Sequence, residues 1–197
     1  SIPVVEIRHG TTDKDHVVYD VKSNFNNLCY PDYLLTFGDN QKSFFESNSN
    51  YIKNKNNIFA VGSYYIDFII KNTDKNRLKN RFTWAKKIIA ISLQYTIAEK
   101  TIHLISEAAK ISEDILYVLI PRNKSDLDSY VNKLPNVITI ENMNCYEIVI
   151  SSDYHASVYS SCITEAPALG VENIFLDIDH ISIKYYSYFI NKYKFNN

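Results

Sequence analysis

The sequence predicts an α/β fold, a Rossmann-like parallel sheet with helices on both faces. Two observations carry this. From about residue 87 onward, short unbroken apolar runs alternate with segments of helical period. A strand that is apolar along its whole length suits a parallel sheet covered on both sides, rather than a sheet with one wet face. The apolar runs also end in small or polar turns, as strand-to-helix connections do.

The elements follow in order. Residues 3–7 read as a buried strand that ends on Arg8, His9 and Gly10. Residues 11–30 are polar and irregular and read as a loop. Pro31 and Asp32 lead into a second strand over 33–37, which stops at Gly38. Asp39 or Asn40 can cap a helix that continues through Phe44 and Phe45. A third strand spans 58–61 and ends at Gly62 and Ser63, and 64–70 reads as a short helix. Residues 71–81 are charged and Asn-rich, and mark the best internal boundary.

Beyond it the pattern becomes regular. Residues 87–92 are strand. Residues 96–110 are helix, with Ile97, Ile102, Leu104, Ile105 and Ala108 near helical spacing. Residues 115–120 are strand, ending at Pro121 and Arg122. A helix over 126–134 begins near Ser125 or Asp126, a short strand covers 137–140, and 143–150 reads as helix. A β-type run at 155–159 meets Ser160 and Ser161. A helical segment with Thr164 and Glu165 stops at Gly170, and a further apolar run covers 173–177. The last stretch, 180–195, reads as a Tyr-rich amphipathic helix.

Composition bounds the function classes. With 46% hydrophobic and 22% charged residues the chain reads as an ordinary globular protein. Net charge is −1, with 21 basic against 22 acidic residues, so no basic field points to nucleic acid or to an anionic membrane. Abundant Asn, Lys, Ile and Tyr read as a bias towards A/T-rich codons. No apolar run approaches the ~20 residues of a membrane span, and no leader pattern is visible. The three cysteines, Cys29, Cys145 and Cys162, form no CxxC and no metal spacing, which fits a reducing cytoplasm. The chain opens on an apolar run without an initiator methionine. That reads as a piece of a longer protein whose first strand has an open edge, a feature that favours self-association.

Candidate chemistry gathers between Asp153 and Asp177. Ser160, Ser161 and Thr164 offer hydroxyls, and the turn offers backbone N–H groups where a helix begins, an arrangement suited to phosphate. Glu165, one turn further, can accept from a ribose or sugar hydroxyl. The same residues also read as a plain N-cap with an acid set against the helix dipole, and both readings stay open. Ser92, Gln94 and Thr96 follow one strand and can donate to phosphate, or form an ordinary turn. Arg122 ends another strand and suits either phosphate or a surface ion pair. His155, inside a strand, is either a ligand contact or a satisfied core histidine. His9, on a strand-end turn, is the candidate catalytic residue, as a base or electrostatic stabiliser.

These residues resemble the C-terminal, donor-binding half of GT-B glycosyltransferases, in particular bacterial enzymes that build capsule, lipopolysaccharide and other surface polysaccharides. Glu6-Ile7-Arg8-His9-Gly10 is similar to that family's Gln-His-Gly turn, with Arg8 in place of Gln. Residues 30–38 resemble its Pro-Asp-Tyr…Gly segment, 58–67 its Val-Gly…Asp segment, and Ser92 with Gln94 its Ser-Gln turn. Residues 154–170 resemble its His-x-Thr-x-x-Ser-Ser…Glu-Ala…Gly segment. The run from Glu165 to Gly170 (Glu-Ala-Pro-Ala-Leu-Gly) is also similar to one in the non-hydrolysing UDP-N-acetylglucosamine 2-epimerases, which share the fold. Where a His-Pro turn is expected, Ile120 precedes Pro121.

The resemblance implies a metal-independent transferase with no resident cofactor, its nucleotide-sugar donor being a substrate. Residues 1–80 would be a hinge or linker region with the end of an otherwise missing N-terminal domain, and residues 81–197 a Rossmann-like nucleotide-sugar-binding domain. The acceptor would be a glycan or glycolipid. The setting would be cytoplasmic, with a peripheral place at the inner membrane through the missing region, and such a fragment would transfer little on its own. A CDP- or CMP-linked donor, as in polyol-phosphate or Kdo-type transferases, is a close relative of this reading. The alternatives are an epimerase-like activity on a UDP-sugar and a non-catalytic Rossmann-like binding module.

Overall fold

The computed structural model describes residues 2–8, 18–19, 21, 29–122 and 134–192, with side chains through residue 186. His9, most of the loop expected at 11–30, and the helix expected at 126–134, apart from Leu134, lie outside these. The chain divides into two compact units, Ser1–Tyr65 and Ile66–Asn197.

The first unit is a three-stranded parallel sheet in the order β1 (Val5–Ile7), β2 (Tyr33–Thr36), β3 (Ile58–Ala60). Helix α1 (Asp39–Asn48) follows β2. Its N-cap is Gly38, in extended conformation and without a side-chain cap, so the expected capping by Asp39 or Asn40 is corrected. Asp39 instead sits in the first turn, where its charge complements the helix dipole. Phe45, Leu34, Ile52 and Ile58 form the core. Arg8 is buried beside it. Its guanidinium lies 3.6 Å from the Tyr19 ring centroid and 3.6 Å from Glu6, and Tyr51 donates to the other Glu6 oxygen at 2.7 Å.

Helix α2 (Tyr64–Asn72) carries the division between units in its first turn. The segment 71–81, expected to be the boundary, supplies α3 (Arg77–Arg81), whose Leu78 is wholly buried in the second unit. There follow β4 (Lys87–Ser92), a 3-10 turn (Tyr95–Ile97), α4 (Ala98–Ile111), β5 (Ile115–Ile120), β6 (Val137–Thr139), α5 (Cys145–Ile150) and β7 (Tyr154–Ser157). Then come α6 (Cys162–Glu165), a second 3-10 turn (Ala166–Leu169), β8 (Glu172–Phe175), a third (Ile178–His180) and α7 (Ile181–Lys192).

Local chemistry sets the helix ends. Asn144 and Glu147 form a reciprocal capping box at the start of α5. The Asn136 amide donates to Ala109 O at 3.0 Å and so satisfies a carbonyl near the end of α4. Gly170 ends the α6 segment at φ 79°, in the left-handed region that glycine enters without steric cost.

All five strands of the second sheet are parallel, in the order β6-β5-β4-β7-β8. Alternate residues of the central strands enter two cores. Ile88, Ala90, Leu116 and Val118 pack with Leu78 and the α5 residues Ile148 and Val149. Ile91, Tyr117 and Leu119 pack with Ile102, Ile105 and Ala109 of α4. Period-two alternation into two helix layers is why these strands are apolar throughout. Each buried aliphatic side chain contributes about 1.5–3 kcal/mol.

Candidate functional site

From β4 the chain builds outward through β5 to β6, then returns to β7 on the other side of β4. The β4–β7 boundary is therefore the switch point of the sheet, and in such sheets ligands bind beyond the carboxyl ends of the strands there.

Two serines meet at that end. Ser92 closes β4 and Ser157 closes β7, paired in register. Ser157 Oγ donates to Ser92 O at 2.9 Å and accepts from Ser160 N–H at 3.3 Å. Ser160 Oγ accepts from Cys162 N–H at 3.2 Å, and Ser160 O accepts from Tyr186 of α7 at 2.6 Å. Hydroxyls, in place of glycine flexibility, hold this turn. Ser160 is thereby buried, while Ser161 is exposed and Thr164 half-buried, its hydroxyl donating to Ser161 O at 2.7 Å.

His155 is fully buried, with Nε2 2.9 Å from Ser92 Oγ and Nδ1 2.9 Å from Asn173 Oδ1. Asn173 uses its Nδ2 to donate to Ile163 O at 2.6 Å, so its Oδ1 accepts. Nδ1 therefore carries the proton and Nε2 accepts from the serine. Burial lowers the His155 pKa, with the Asn173 bond working against that. The imidazole is a neutral clasp across β4, β7 and β8. Of the two roles open to it, the geometry gives the satisfied core histidine.

Glu165 is half-buried and accepts from Tyr146 Oη at 3.1 Å. Burial, and then the charge of Cys162, push its pKa up to about 7. Burial likewise raises Tyr146. Cys145 and Cys162, at the first positions of α5 and α6, have their sulfurs 3.5 Å apart. The contact between them makes Cys162 the more acidic thiol and raises Cys145.

The structure thus brings Ser92, His155, Ser160, Ser161, Thr164 and Glu165 to one place. Thr96 is exposed and hydrogen-bonds Tyr159, which stacks on Tyr185 with centroids 5.4 Å apart. Gln94 is half-buried in the turn after β4. Arg122 is exposed just past β5, at the same end of the sheet. Sequence reasoning missed Ser157, Cys145, Tyr146, Asn173 and Tyr186, which reach the site from separate elements. Among the described residues, no group of three or more His, Cys, Asp and Glu is placed to hold a metal ion, and no helix is long and apolar enough to cross a membrane. A cavity lined by Trp84, Ala109, Lys110, Glu113 and Pro135 opens at the opposite, amino end of the strands; the rule for parallel sheets assigns the site to the carboxyl end instead.

No family model matches the chain, and no curated protein matches it. Solved structures do. The wall teichoic acid polymerase TagF superposes with a TM-score of 0.59 at 17% identity, over 92% of this chain and 51% of that one. A TagF variant soaked with CDPG gives 0.55 at 18% identity, over 83% and 40%. The S. aureus MnaA-UDP structure gives 0.58 at 14% identity, over 74% and 43%. UDP-GlcNAc 2-epimerase from Neisseria meningitidis, bound to UDP-GlcNAc, gives 0.52 at 17%, over 74% and 44%. The chain spans about half the length, or less, of the structures it matches. Parallel sheets, helices on both faces and these likenesses give the chain the GT-B fold of glycosyltransferases, with its similarity to the epimerases.

Proposed function

We propose that the carboxyl ends of β4 and β7 bind the diphosphate and ribose of a pyrimidine nucleotide-linked donor, and that the chain is the donor-binding part of a metal-independent GT-B glycosyltransferase. The observation that carries this is the pairing of Ser92 with Ser157 at the switch point, which fixes the Ser160–Ser161 turn beside Glu165. Ser161, Thr164 and Thr96, with Gln94 and Arg122 at the rim, are the groups able to donate to a leaving phosphate. Charge building on that phosphate is the main demand of sugar transfer, and preorganised donors meet it. Glu165 takes the ribose hydroxyls. His155 and Ser92 hold the floor of the site and do not touch the ligand.

The pyrimidine comes from the neighbours: CDPG for TagF, UDP for MnaA and UDP-GlcNAc for the epimerase. The acceptor in this reading is a glycan or glycolipid of a surface polysaccharide, met at the cytoplasmic face of the inner membrane. Residues 1–65, the first unit, then belong to an acceptor-side domain, with His9 as the base. The similarity of residues 165–170 to the epimerases favours a second reading, inversion of a UDP-sugar, and NMR detection of a 2-epimer from UDP-N-acetylglucosamine separates the two.

Calorimetry with UDP, CDP, CMP, GDP and dTDP tests the proposal. Saturable binding of UDP or CDP is expected, weakened about tenfold in Glu165→Ala, the loss of about 1.4 kcal/mol. No binding of any of them at millimolar concentration overturns it.

A further inference from the structure

Cys145 and Cys162 are given no part by the nucleotide-binding reading, and their geometry stands independently of it. Each opens a helix, and each is held at its backbone. The Asn144–Glu147 capping box fixes the start of α5, and Ser160 Oγ accepts from Cys162 N–H. A second side-chain pair, Tyr146 with Glu165, ties the same two helices one residue further along α5. The two sulfurs are 3.5 Å apart, and a disulfide needs about 2.05 Å, so closure has to bring them nearer by about 1.5 Å. Both thiols are half-buried rather than sealed, and the third cysteine, Cys29, is exposed.

We propose that Cys145 and Cys162 are a dithiol site that a peroxide oxidises to an intrachain disulfide and that small thiols reduce again. Cys162 is the attacking sulfur, because its contacts with Cys145 and then with the Ser160 hydroxyl hold its thiol below the usual range. Cys162 thiolate attacks one peroxide oxygen, an S–O bond forms, the O–O bond breaks, and the departing hydroxide takes a proton to become water. Cys145 then loses its proton and attacks the Cys162 sulfur. The S–S bond forms, the S–O bond breaks, and a second water leaves. Two electrons pass from the thiols to the peroxide. The disulfide closes a loop containing all of β7 and the Ser160–Ser161 turn, and it removes the negative charge beside Glu165.

The test uses the full chain with Cys29→Ser, which excludes intermolecular bridging through the exposed thiol. After one equivalent of hydrogen peroxide, thiol titration should fall from both cysteines to none. The intact mass should drop by the mass of two hydrogens, the chain should run as a monomer without reductant, and dithiothreitol should restore it. The Glu165 titration, followed by NMR, should move down towards the ordinary carboxylate range. With Cys145→Ser added, dimedone should instead trap a sulfenic acid on Cys162. With Cys162→Ser added, peroxide consumption should slow by at least about tenfold. The wild-type chain, digested without reductant, should give one cross-linked peptide joining Cys145 to Cys162. Two titratable thiols after treatment, or a dimedone adduct on Cys162 while Cys145 is present, overturns the proposal.

Discussion

Tyr146 Oη donates to Glu165 Oε1 at 3.1 Å, joining the first turn of α5 to the last residue of α6. This bond favours the ionised carboxylate. Burial and the neighbouring Cys162 charge oppose it and prevail, which is why Glu165 titrates near neutrality.

A raised carboxyl pKa means that the folded state holds its proton more tightly than the unfolded chain does. The stability it contributes is complete below about pH 4.5 and is lost as pH rises towards 7. Glu165→Gln removes the titration and keeps an acceptor for Tyr146. Between those limits the wild type should lose about 1–2 kcal/mol relative to Glu165→Gln, solvent screening allowed for. Urea denaturation across that range checks it, and parallel curves for the two proteins count against it.

His155 has the opposite sign. Its pKa is lowered by burial, so the unfolded chain binds the proton more readily, and the stability it contributes is lost as pH falls below 6.5. Replacing it by Phe keeps an aromatic ring but removes a partner from the buried Ser92 Oγ and from the half-buried Asn173 Oδ1. His155→Phe should cost about 2–4 kcal/mol and abolish the acid limb of the stability profile. A loss below about 1 kcal/mol would show that the clasp contributes little.

The two helix layers predict a symmetry. Ile88 and Ile91 lie on opposite faces of β4, and both are fully buried. Ile88→Ala and Ile91→Ala should each cost about 2–5 kcal/mol in chemical denaturation. A sheet with one solvated face would show the loss for only one of them.

Central strands were the most legible elements. β4 and β5 match their expected bounds of 87–92 and 115–120 because an apolar run between polar ends is a local signal. In the segment 71–81 charge dominates the sequence, and its buried anchor, Leu78, shows only in packing. The candidate site is legible where its residues are contiguous, as from Ser160 to Glu165. Asn173 and Tyr146 were missed because their partners, His155 and Glu165, lie 18 and 19 residues away on other elements. In a chain with 16 tyrosines, no single one stands out from sequence. Cys145 and Cys162 looked unrelated because only the crossing of β7 brings α5 and α6 side by side.

The strand order also sets a sequence of events for the folding chain. β4 can zip against β5 across one short crossover, but Ser157 must find Ser92 over a separation of 65 residues. Closing the longer loop carries the greater entropic cost and the slower search. A chain arrested before β7 docks would hold β4, β5 and β6 as a half-sheet with an exposed apolar flank and no crevice. The candidate site therefore forms only once β7 has docked on β4, across those 65 residues.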